Sequence, residues 1–569
     1  MMLRRFLITA AAIALSAAGV FAAYQVNEAH APELAAMMPS GALLYIESPD
    51  FHSLLADWSQ SSEKQAWLEG DDYAVFSRSR LFGRLAQAQT EFADAAGVPS
   101  NMQLLDQIAG KQSAFAWYDI GKLEFLYITH LPSSSFEQST LWQSRGKFEQ
   151  RQSGKANFYV RTDPESKRTV AFAVAGDWVI LGTREDLVAG TLALLSGSQS
   201  ETLHDEAWYA DSIKAAKTPG DLRMVLNLEK IVPSPYFRSY WIQQNITEMK
   251  QYRAAISDLY RTSAAYREER VLLRREQASG AAAVSDVSAL AAAVPASAGF
   301  YKAWAAPDAA QATAIVRDKL LDPRPAVATD SQYAPSATVM EQNAGNAADF
   351  ETRIDQAPVV ARENVWAQLR PAIEASQVKG LLEVDTSYSQ RDGAFSGVHS
   401  AVVLSALHGW DAKQIRKLIA DGLNAQTSAS HFGVGWVEKG DFLQLDGLLP
   451  LYLAVQGNTL ILANDADLLE ALGAKLREKP VADQGEMYIS KFNHAQESPA
   501  FLRTSTLIDR ANMRGRQDGA AEYDVGQRPA FFSGNIASLS RMFSGVASGS
   551  IIERDAGINV VQTVIYQWR

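Results

Sequence analysis

The sequence predicts an α+β protein built from two tandem copies of one unit, which follow an N-terminal signal or anchor helix. Each copy is expected to form a mostly antiparallel sheet of hairpins and a meander with packed helices. Three observations predict this fold: an uncharged run near the N-terminus, ordered sequence matches between the two halves, and alternating hairpin and helix patterns within each half. The length of 569 residues also exceeds one ordinary domain of roughly 150 residues.

Composition and charge narrow the classes of function. Hydrophobic residues make up 47% of the chain and charged residues 21%, which is typical of a folded globular protein. The 53 Lys and Arg residues are outnumbered by 64 Asp and Glu, so the net charge is -11 and we expect no nucleic-acid partner. The chain has no cysteine, which excludes disulfides, thiolate metal sites and a cysteine nucleophile.

Residues 1–23 are predicted to be a signal peptide or a membrane anchor. Arg4 and Arg5 precede the uncharged run Phe6–Ala23, which is long for a cleaved signal and short for a spanning helix. Both alternatives therefore stay open. Because positive charges remain on the cytoplasmic side, we expect a periplasmic or extracytoplasmic chain, either free or anchored to the inner membrane by residues 6–23.

Three sequence matches occur in the same order in both halves of the chain. They pair Ala173–Leu187 with Ala454–Leu468, Leu34–Tyr45 with Leu290–Tyr301, and, more weakly, Leu259–Glu276 with Ile552–Arg569. Ordered matches rarely arise by chance, and internal repeats of this kind indicate a repeated architecture. We therefore predict repeat unit 1 at 34–278, a linker at 279–289 and repeat unit 2 at 290–569, with a long loop at 322–350.

Local patterns predict the same succession of elements in the two copies. It consists of a strand (Leu43–Glu47, Gly299–Ala303), a helix (Arg80–Ala96, Ala361–Ala375), a hairpin (Ser113–His130, Gly380–Ser405), and a tight turn (Gly176, Gly457) before a helix begun by an acid (Asp186, Asp467). The weaker match further predicts that Tyr266–Leu273 is a strand, although its interleaved charges alone would suggest a helix. A helix is expected before it, at Tyr236–Lys250.

Local catalytic and metal-binding motifs are not found. The eight histidines lack zinc-site spacing. The serine in Gly393–Gly397 stands one place late for a nucleophile elbow, and the S-x-x-K matches Ser61–Lys64 and Ser376–Lys379 lack their partner motifs. The acids of Asp71–Asp72 and Asn464–Asp467 could bind a cation through oxygen, but we expect solvated turn and helix-start acids. We therefore predict no catalytic, cofactor-binding or metal-binding residues and no cofactor.

Two segments carry a family resemblance. MPSGALLYIESPDFHSLLADW, after an export segment, and AVAGDWVILGTREDLVAGTLALL resemble bacterial exported proteins of a domain-of-unknown-function group. The resemblance implies a periplasmic or envelope protein with internally repeated α+β units. It brings no known catalytic residues.

Two classes of function follow from the sequence. The first is a non-enzymatic cell-envelope protein that acts as a scaffold or binding module for an unknown envelope protein, lipid or glycan. It would also contact the membrane through residues 1–23 if that segment is not cleaved. The alternative is an exported hydrolase whose site is assembled from residues distant in sequence. The missing local catalytic motifs favour the first class.

Overall fold

The computed structural model has the predicted α+β fold with extensive antiparallel sheet. It describes residues 33–568 except 70–72, 74–76, 79, 235–248, 277–285, 306, 322–367, 390–395, 428–434, 447–449, 479–484 and 498–545. The chain divides into two compact units. Unit 1 comprises the described residues of 33–52 and 89–210, and unit 2 those of 53–88 and 211–568.

Several predicted features lie outside the described residues. They are the signal or anchor at 1–23, the loop at 322–350, the first seven residues of the linker and nearly all of the helix Tyr236–Lys250. Within the described ranges, no helix combines the length and apolar character needed to span a bilayer.

The helices follow the chain as α1 to α14. They are Phe51–Ser59, Ser62–Glu69, Arg80–Ala96, Gln103–Ile108, Ser133–Phe136, Thr140–Gln143, Glu185–Leu195, Ala207–Ala215, Leu228–Ile231, Val287–Ala292, Ala309–Val316, Leu369–Ser376, Ala412–Thr427 and Ala466–Leu476. Short 3-10 helices occur at Leu34–Met37, Ser144–Lys147 and Leu203–Asp205, and a π-helix at Arg317–Leu321.

Unit 1 contains an antiparallel sheet with the strand order β1-β2-β3-β7-β6-β5-β4. The strands β1 to β7 are Leu44–Ser48, Ser113–Asp119, Glu124–His130, Glu149–Ser153, Ala156–Thr162, Thr169–Ala175 and Trp178–Gly182. Neighbours along the chain are joined by short connections except in two places. The helices α1 to α4 separate β1 from β2, and α5, α6 and a 3-10 helix separate β3 from β4.

Both faces of the unit 1 sheet are covered. Successive side chains of a strand point to opposite faces, and the consecutive residues Phe172 and Ala173 of β6 are both fully buried. Phe172 belongs to an apolar cluster with Phe136 of α5 and Leu141 of α6. On the neighbouring strand β7, Val179 joins the same cluster, while α7 packs on β6 and β7. This two-sided burial explains the near-continuous apolar runs of β6 and β7.

Unit 2 contains a longer antiparallel sheet in the order β8-β9-β10-β20-β19-β18-β11-β12-β13-β17-β16-β15-β14. The strands β8 to β20 are Leu222–Asn227, Tyr252–Arg261, Ala265–Arg274, Phe300–Ala305, Val378–Ser389, Ser396–Ala406, Gly435–Lys439, Phe442–Asp446, Tyr452–Gln456, Thr459–Ala463, Glu486–Asn493, Val546–Asp555 and Asn559–Trp568. Tyr266–Leu273 is thus a strand, as its match predicted.

Helices also cover both faces of the β11–β17 part of this sheet. Leu381 of β12 and Leu404 of β13 pack with α11, α12 and α13 on one face. Their neighbours Leu382 and Val403 pack with α10 and α14 on the other face. Alternate residues of one strand therefore serve two separate apolar layers.

The two sheets share one strand order. The order β1-β2-β3-β7-β6-β5-β4 in unit 1 matches β11-β12-β13-β17-β16-β15-β14 in unit 2, strand for strand along the chain. Likewise, β8, β9 and β10 form an antiparallel meander, as do β18, β19 and β20. β10 and β20 pair with each other.

The predicted glycine turns have the expected backbone. Gly176 joins β6 to β7 with φ 63°, and Gly457 joins β16 to β17 with φ 58°. Ile180 on β7 and Ile461 on β17 are both fully buried. The two hairpins therefore place glycine and isoleucine in the same roles, since positive φ favours glycine and the strand face after the turn is apolar.

Replacing Gly176 by valine is expected to destabilise unit 1 by about 1–2 kcal/mol, because a β-branched residue is strained at φ 63°. Gly176→Asn is the matched control, since asparagine tolerates this region better. Urea unfolding of both variants provides the measurement. Equal stability of the Val and Asn variants would contradict the assignment of strain to this turn.

An ion pair ties β10 to the β19–β20 hairpin. Arg274 Nη1 donates to Asp555 Oδ1 at 2.6 Å and Nη2 donates to Oδ2 at 3.0 Å. Nη1 also donates to the carbonyl of Gly557, at 2.7 Å. The hydrogen bond from Arg274 holds the pKa of Asp555 below its ordinary value.

We expect this pair to make stability depend on acid pH. A carboxyl with a depressed folded pKa stabilises the fold above its unfolded pKa of about 3.9, and that contribution disappears as pH falls through the folded pKa. Asp555→Asn should therefore be less stable than the native chain at pH 7, with the difference shrinking at pH 3. Unfolding free energies at both pH values provide the measurement, and a difference independent of pH would speak against the pair.

Candidate functional site

The candidate site is a groove of about 290 Å³ on one face of the unit 2 sheet. Strands β11, β18, β19 and β20 form its floor. Its principal apolar lining consists of Phe300, Phe492, Val546, Ile551, Val564 and Tyr566. Cavities lined mainly by aromatic and aliphatic side chains are typical of ligand or partner binding.

One row of groove residues crosses the sheet. Phe300 lies opposite Phe492, Phe492 opposite Gly549, and Gly549 opposite Tyr566. Residues directly opposite each other share a face, so Phe492 and Tyr566 flank a position with no side chain, and Phe300 lies beyond Phe492. A Cβ atom at Gly549 would lie 3.5 Å from the Tyr566 ring, which is ordinary contact. The absence of a side chain at Gly549 therefore leaves space in the groove, although the backbone at this position would also accept another residue.

A second row, two residues along each strand, continues the apolar floor. Ser490 lies opposite Ile551, and Ile551 lies opposite Val564. Val564 is buried, whereas Tyr566 in the first row is 40% exposed. The groove is therefore deepest beside Val564 and open to solvent at Tyr566.

The end of β18 forms one rim. Asn493 Oδ1 accepts a hydrogen bond from the backbone amide of Gln496 at 3.3 Å, which starts a helical turn at 494–497. His494, the first residue of this turn, lines the groove and is mostly buried. The imidazole adds a polar group to the mainly apolar lining.

Charges lie beside the groove. Lys302 Nζ stands 5.2 Å from the centre of the Phe300 ring, in the range of a cation–π contact. On the β10 side, Arg270 donates two hydrogen bonds of 2.6 Å to Glu268, which lies opposite Val564. Although burial raises the pKa of Glu268, the hydrogen bonds from Arg270 and Ser257 hold it below its usual value. On this side of the groove, the Glu268 carboxylate is therefore ionised and paired with Arg270.

A separate polar cluster joins the π-helix to β12 and β13. Lys319 Nζ contacts Glu383 at 2.8 Å and also pairs with Asp385, which accepts a hydrogen bond from Ser400 Oγ at 2.8 Å. Although burial lowers the pKa of Lys319, Asp385 and Glu383 raise it above its ordinary value. A raised pKa suits Lys319 to an ion pair with these carboxylates more than to a role as a general base.

The acidic and serine motifs singled out in the sequence have structural contacts. Asp465 caps α14 by accepting from the Leu468 amide at 2.8 Å, and it pairs with His399 Nδ1 at 3.0 Å. Ser61 Oγ donates to the Trp58 carbonyl at 2.9 Å, and Ser376 Oγ to the Ala372 carbonyl at 3.2 Å. Residues 71–72 and 393–395 lie outside the described chain. Where side chains are described, no group of three or more His, Asp and Glu is placed to hold a metal ion.

The groove residues were not predicted from the sequence. Phe300 on β11 and Phe492 on β18 lie far along the chain from each other and from the β19–β20 hairpin that contains Gly549 and Tyr566. The available signal was local and weak: a run of consecutive small residues, Ala547–Ser550, precedes the aliphatic Ile551 in β19. Only the strand register joins this small patch to the aromatic residues.

Comparisons with known proteins find little similarity to this chain. No family model matches the chain, and no curated protein matches it. Among solved structures, crystal form I of TP0453 aligns at 11% sequence identity, over 44% of this chain and 82% of that chain, with a TM-score of 0.25. A likeness at this level supports no conclusion about the fold or function of this chain.

Proposed function

We propose that this chain is a non-enzymatic protein of the cell envelope, in which two copies of one α+β unit form a scaffold that carries an apolar binding groove. The groove on β11, β18, β19 and β20 is the observation that supports a binding role. The shared strand order described above supports the duplication. A location facing the periplasm is supported by Arg4 and Arg5 before the uncharged segment.

The lining of the groove favours an apolar ligand over a glycan. Burial of apolar surface contributes about 25 cal/mol per Å², and Phe300, Phe492 and Tyr566 offer large surfaces. Glycan hydroxyls need hydrogen-bond partners when they lose water. Besides the Tyr566 hydroxyl, the polar side chains among the lining residues are Ser490, His494 and Ser550, so few such partners are offered.

The hydrolase alternative has weaker support. The polar cluster that most resembles hydrolase machinery among the described residues contains Ser400, Asp385 and Lys319. Its lysine is stabilised in the protonated form by two carboxylates, which suits an ion-pair network joining elements. That arrangement favours a structural role.

Binding of N-phenyl-1-naphthylamine, an apolar fluorescent probe, tests the proposed function on the full chain. We expect saturable enhancement of probe fluorescence. Gly549→Val should weaken binding at least tenfold, because the added side chain fills the groove while its Cβ makes an ordinary contact with Tyr566. Ile558→Ser is the matched control, since Ile558 is exposed in the same hairpin but is not a lining residue. Equal binding by the Gly549→Val variant would overturn the proposed site.

A further inference from the structure

The pairing of β10 with β20 joins corresponding parts of the two proposed copies. The strands β8, β9 and β10 form one antiparallel meander, and β18, β19 and β20 form the other. Asn227 ends β8 and its Oδ1 accepts a hydrogen bond from the Lys230 amide at 3.2 Å, whereas Asn493 ends β18 and accepts from the Gln496 amide at 3.3 Å. These two asparagines fix which residue of β8 corresponds to which residue of β18.

The strand registers extend the correspondence to β10 and β20. Starting from the residue before each asparagine, the directly opposed residues are Leu226, Ala255 and Leu272 in one meander and Phe492, Gly549 and Tyr566 in the other. Leu272 on β10 therefore corresponds to Tyr566 on β20. Residues 265–273 of β10 correspond in order to residues 559–567 of β20.

The β10–β20 pairing is symmetric about its centre. Glu269 lies opposite Thr563, and by the correspondence above these two residues are each other's counterparts. The flanking pairs repeat this relation and are Arg267 with Ile565 and its counterpart, Val561 with Val271. An interface in which residue i contacts j and the counterpart of j contacts the counterpart of i is isologous, which is the arrangement of a twofold dimer.

The side chains of β20 suit pairing with a second β20 in this register. The twofold would place Thr563 opposite another Thr563, and Val561 opposite Ile565. Pairs of threonines and of β-branched residues are favourable across antiparallel strands. On β10 the same symmetry would place Glu269 opposite another Glu269, and like charges directly opposite are unfavourable. In the folded chain Glu269 faces Thr563 instead, so β10 is biased towards β20.

The copy that contains β20 has apolar layers of its own. The buried residues of the two clusters on the β11–β17 part of the sheet all lie between positions 287 and 472. The meander of this copy continues that sheet through the pairing of β18 with β11. Val560 alone among its buried residues belongs to the described cluster of the first meander. The layers that support this copy are therefore supplied by its own segment of the chain.

We infer that the edge of β20 is a self-recognition surface whose partner is the β20 edge of a second copy of this chain, and that β10 occupies this surface in the folded protein. The inference rests on the duplication in the proposed function and names the way in which the two copies recognise each other. The β10–β20 contact thus has the symmetry of a homodimer interface within a single chain.

Disulfide trapping in a cut full-length chain tests the inference. A protease site is inserted after Gly280, in the predicted linker, and the folded chain is then cut so that noncovalent contacts alone hold the fragments together. Thr563→Cys supplies the only cysteine, since the native chain has none. Mild urea followed by dilution lets fragments exchange between molecules, and a fluorescent label on the C-terminal fragment measures that exchange. We expect a disulfide dimer of the C-terminal fragment on oxidation.

Ile565→Cys is the matched register control, because Ile565 and Thr563 are both half-buried in β20. The twofold places residue 565 opposite residue 561, so two copies of residue 565 lie four positions apart, or about 13 Å. A disulfide requires Cα atoms within about 7 Å. The Thr563→Cys dimer should therefore exceed the Ile565→Cys dimer at least tenfold. In the uncut chain, Glu269→Cys combined with Thr563→Cys should give an intramolecular disulfide, which shows that the fold accepts cysteine at position 563.

The other outcomes overturn the inference. Equal dimer from the two single variants would mean contact without the symmetric register. Exchange of labelled fragments without a disulfide would mean that β20 does not pair with itself, and fragments that never exchange would mean that the edge accepts no second copy. Binding of N-phenyl-1-naphthylamine by the uncut chain is measured separately. Failure of the trapping experiment with binding retained would leave the binding role intact, whereas trapping without binding would overturn that role alone.

Discussion

Replacing Asp258 by alanine is expected to destabilise unit 2 by about 3–5 kcal/mol, because it leaves a guanidinium buried without its carboxylate. Arg223 Nε donates to Asp258 Oδ1 at 2.8 Å and Nη2 to Oδ2 at 2.9 Å, with side chains only 5% and 4% exposed. Asp258 also accepts from the Gly220 amide at 3.1 Å. The pair therefore joins β8, β9 and the loop before β8. The free energy of unfolding from urea titration provides the measurement.

Two variants separate this pair from a general charge effect. Glu478→Ala breaks the surface ion pair with Lys475. The side chains of Glu478 and Lys475 are 61% and 49% exposed, so this substitution should change the free energy of unfolding by less than about 0.5 kcal/mol. Arg223→Met combined with Asp258→Leu should recover most of the loss, since neither buried charge remains. A double variant no more stable than Asp258→Ala would show that the loss comes from packing.

Gly110→Ala is expected to destabilise unit 1 by about 3 kcal/mol through overpacking. A Cβ atom there would lie 2.2 Å from the His130 carbonyl oxygen and 2.4 Å from Thr129 Oγ1. The Gly110 amide donates to that same hydroxyl at 3.0 Å. Because the closest atom belongs to the backbone of β3, the strand itself must move. Thermal or urea unfolding of the variant measures the effect.

Gly83→Ala is the matched control for this substitution. Gly83 lies in α3, is exposed, and has no atom within 4 Å of an added Cβ. Alanine at such a helix position should stabilise by about 0.5–1 kcal/mol. Opposite signs for the two glycine substitutions are therefore expected. Equal effects would mean that close approach at Gly110 is not what requires glycine.

Local sequence signals predicted most of the regular elements. The helix at Arg80–Ala96 has the predicted bounds, and the hairpins around residues 119–123 and at Gly176 form as expected. Hydrophobic periodicity and turn-forming residues act over a few neighbouring positions, so these signals can be recognised in a single sequence. Local patterns alone did not predict the strand at Tyr266–Leu273, because its interleaved charges resemble a helix face. Its sequence match with residues 559–566 predicted the strand correctly.

The groove could not be predicted in the same way. Its row depends on Phe300, Phe492 and Tyr566 meeting across three strand pairs. A shift of one residue in any pair would turn a side chain to the other face. Register over such distances is a property of the assembled sheet, whereas the sequence signals were local. Gly549 also carried no turn or helix-end signature that would have marked it.

The pairing of β10 with β20 has a consequence for how the chain folds. Residues 265–273 pair with residues 559–567, roughly 290 positions later. Contacts between such distant segments raise the contact order and slow folding. Until β20 has been synthesised, one edge of β10 exposes unpaired amides and carbonyls, which invites aggregation. Protection by a chaperone would therefore matter most in the interval between the appearance of these two strands.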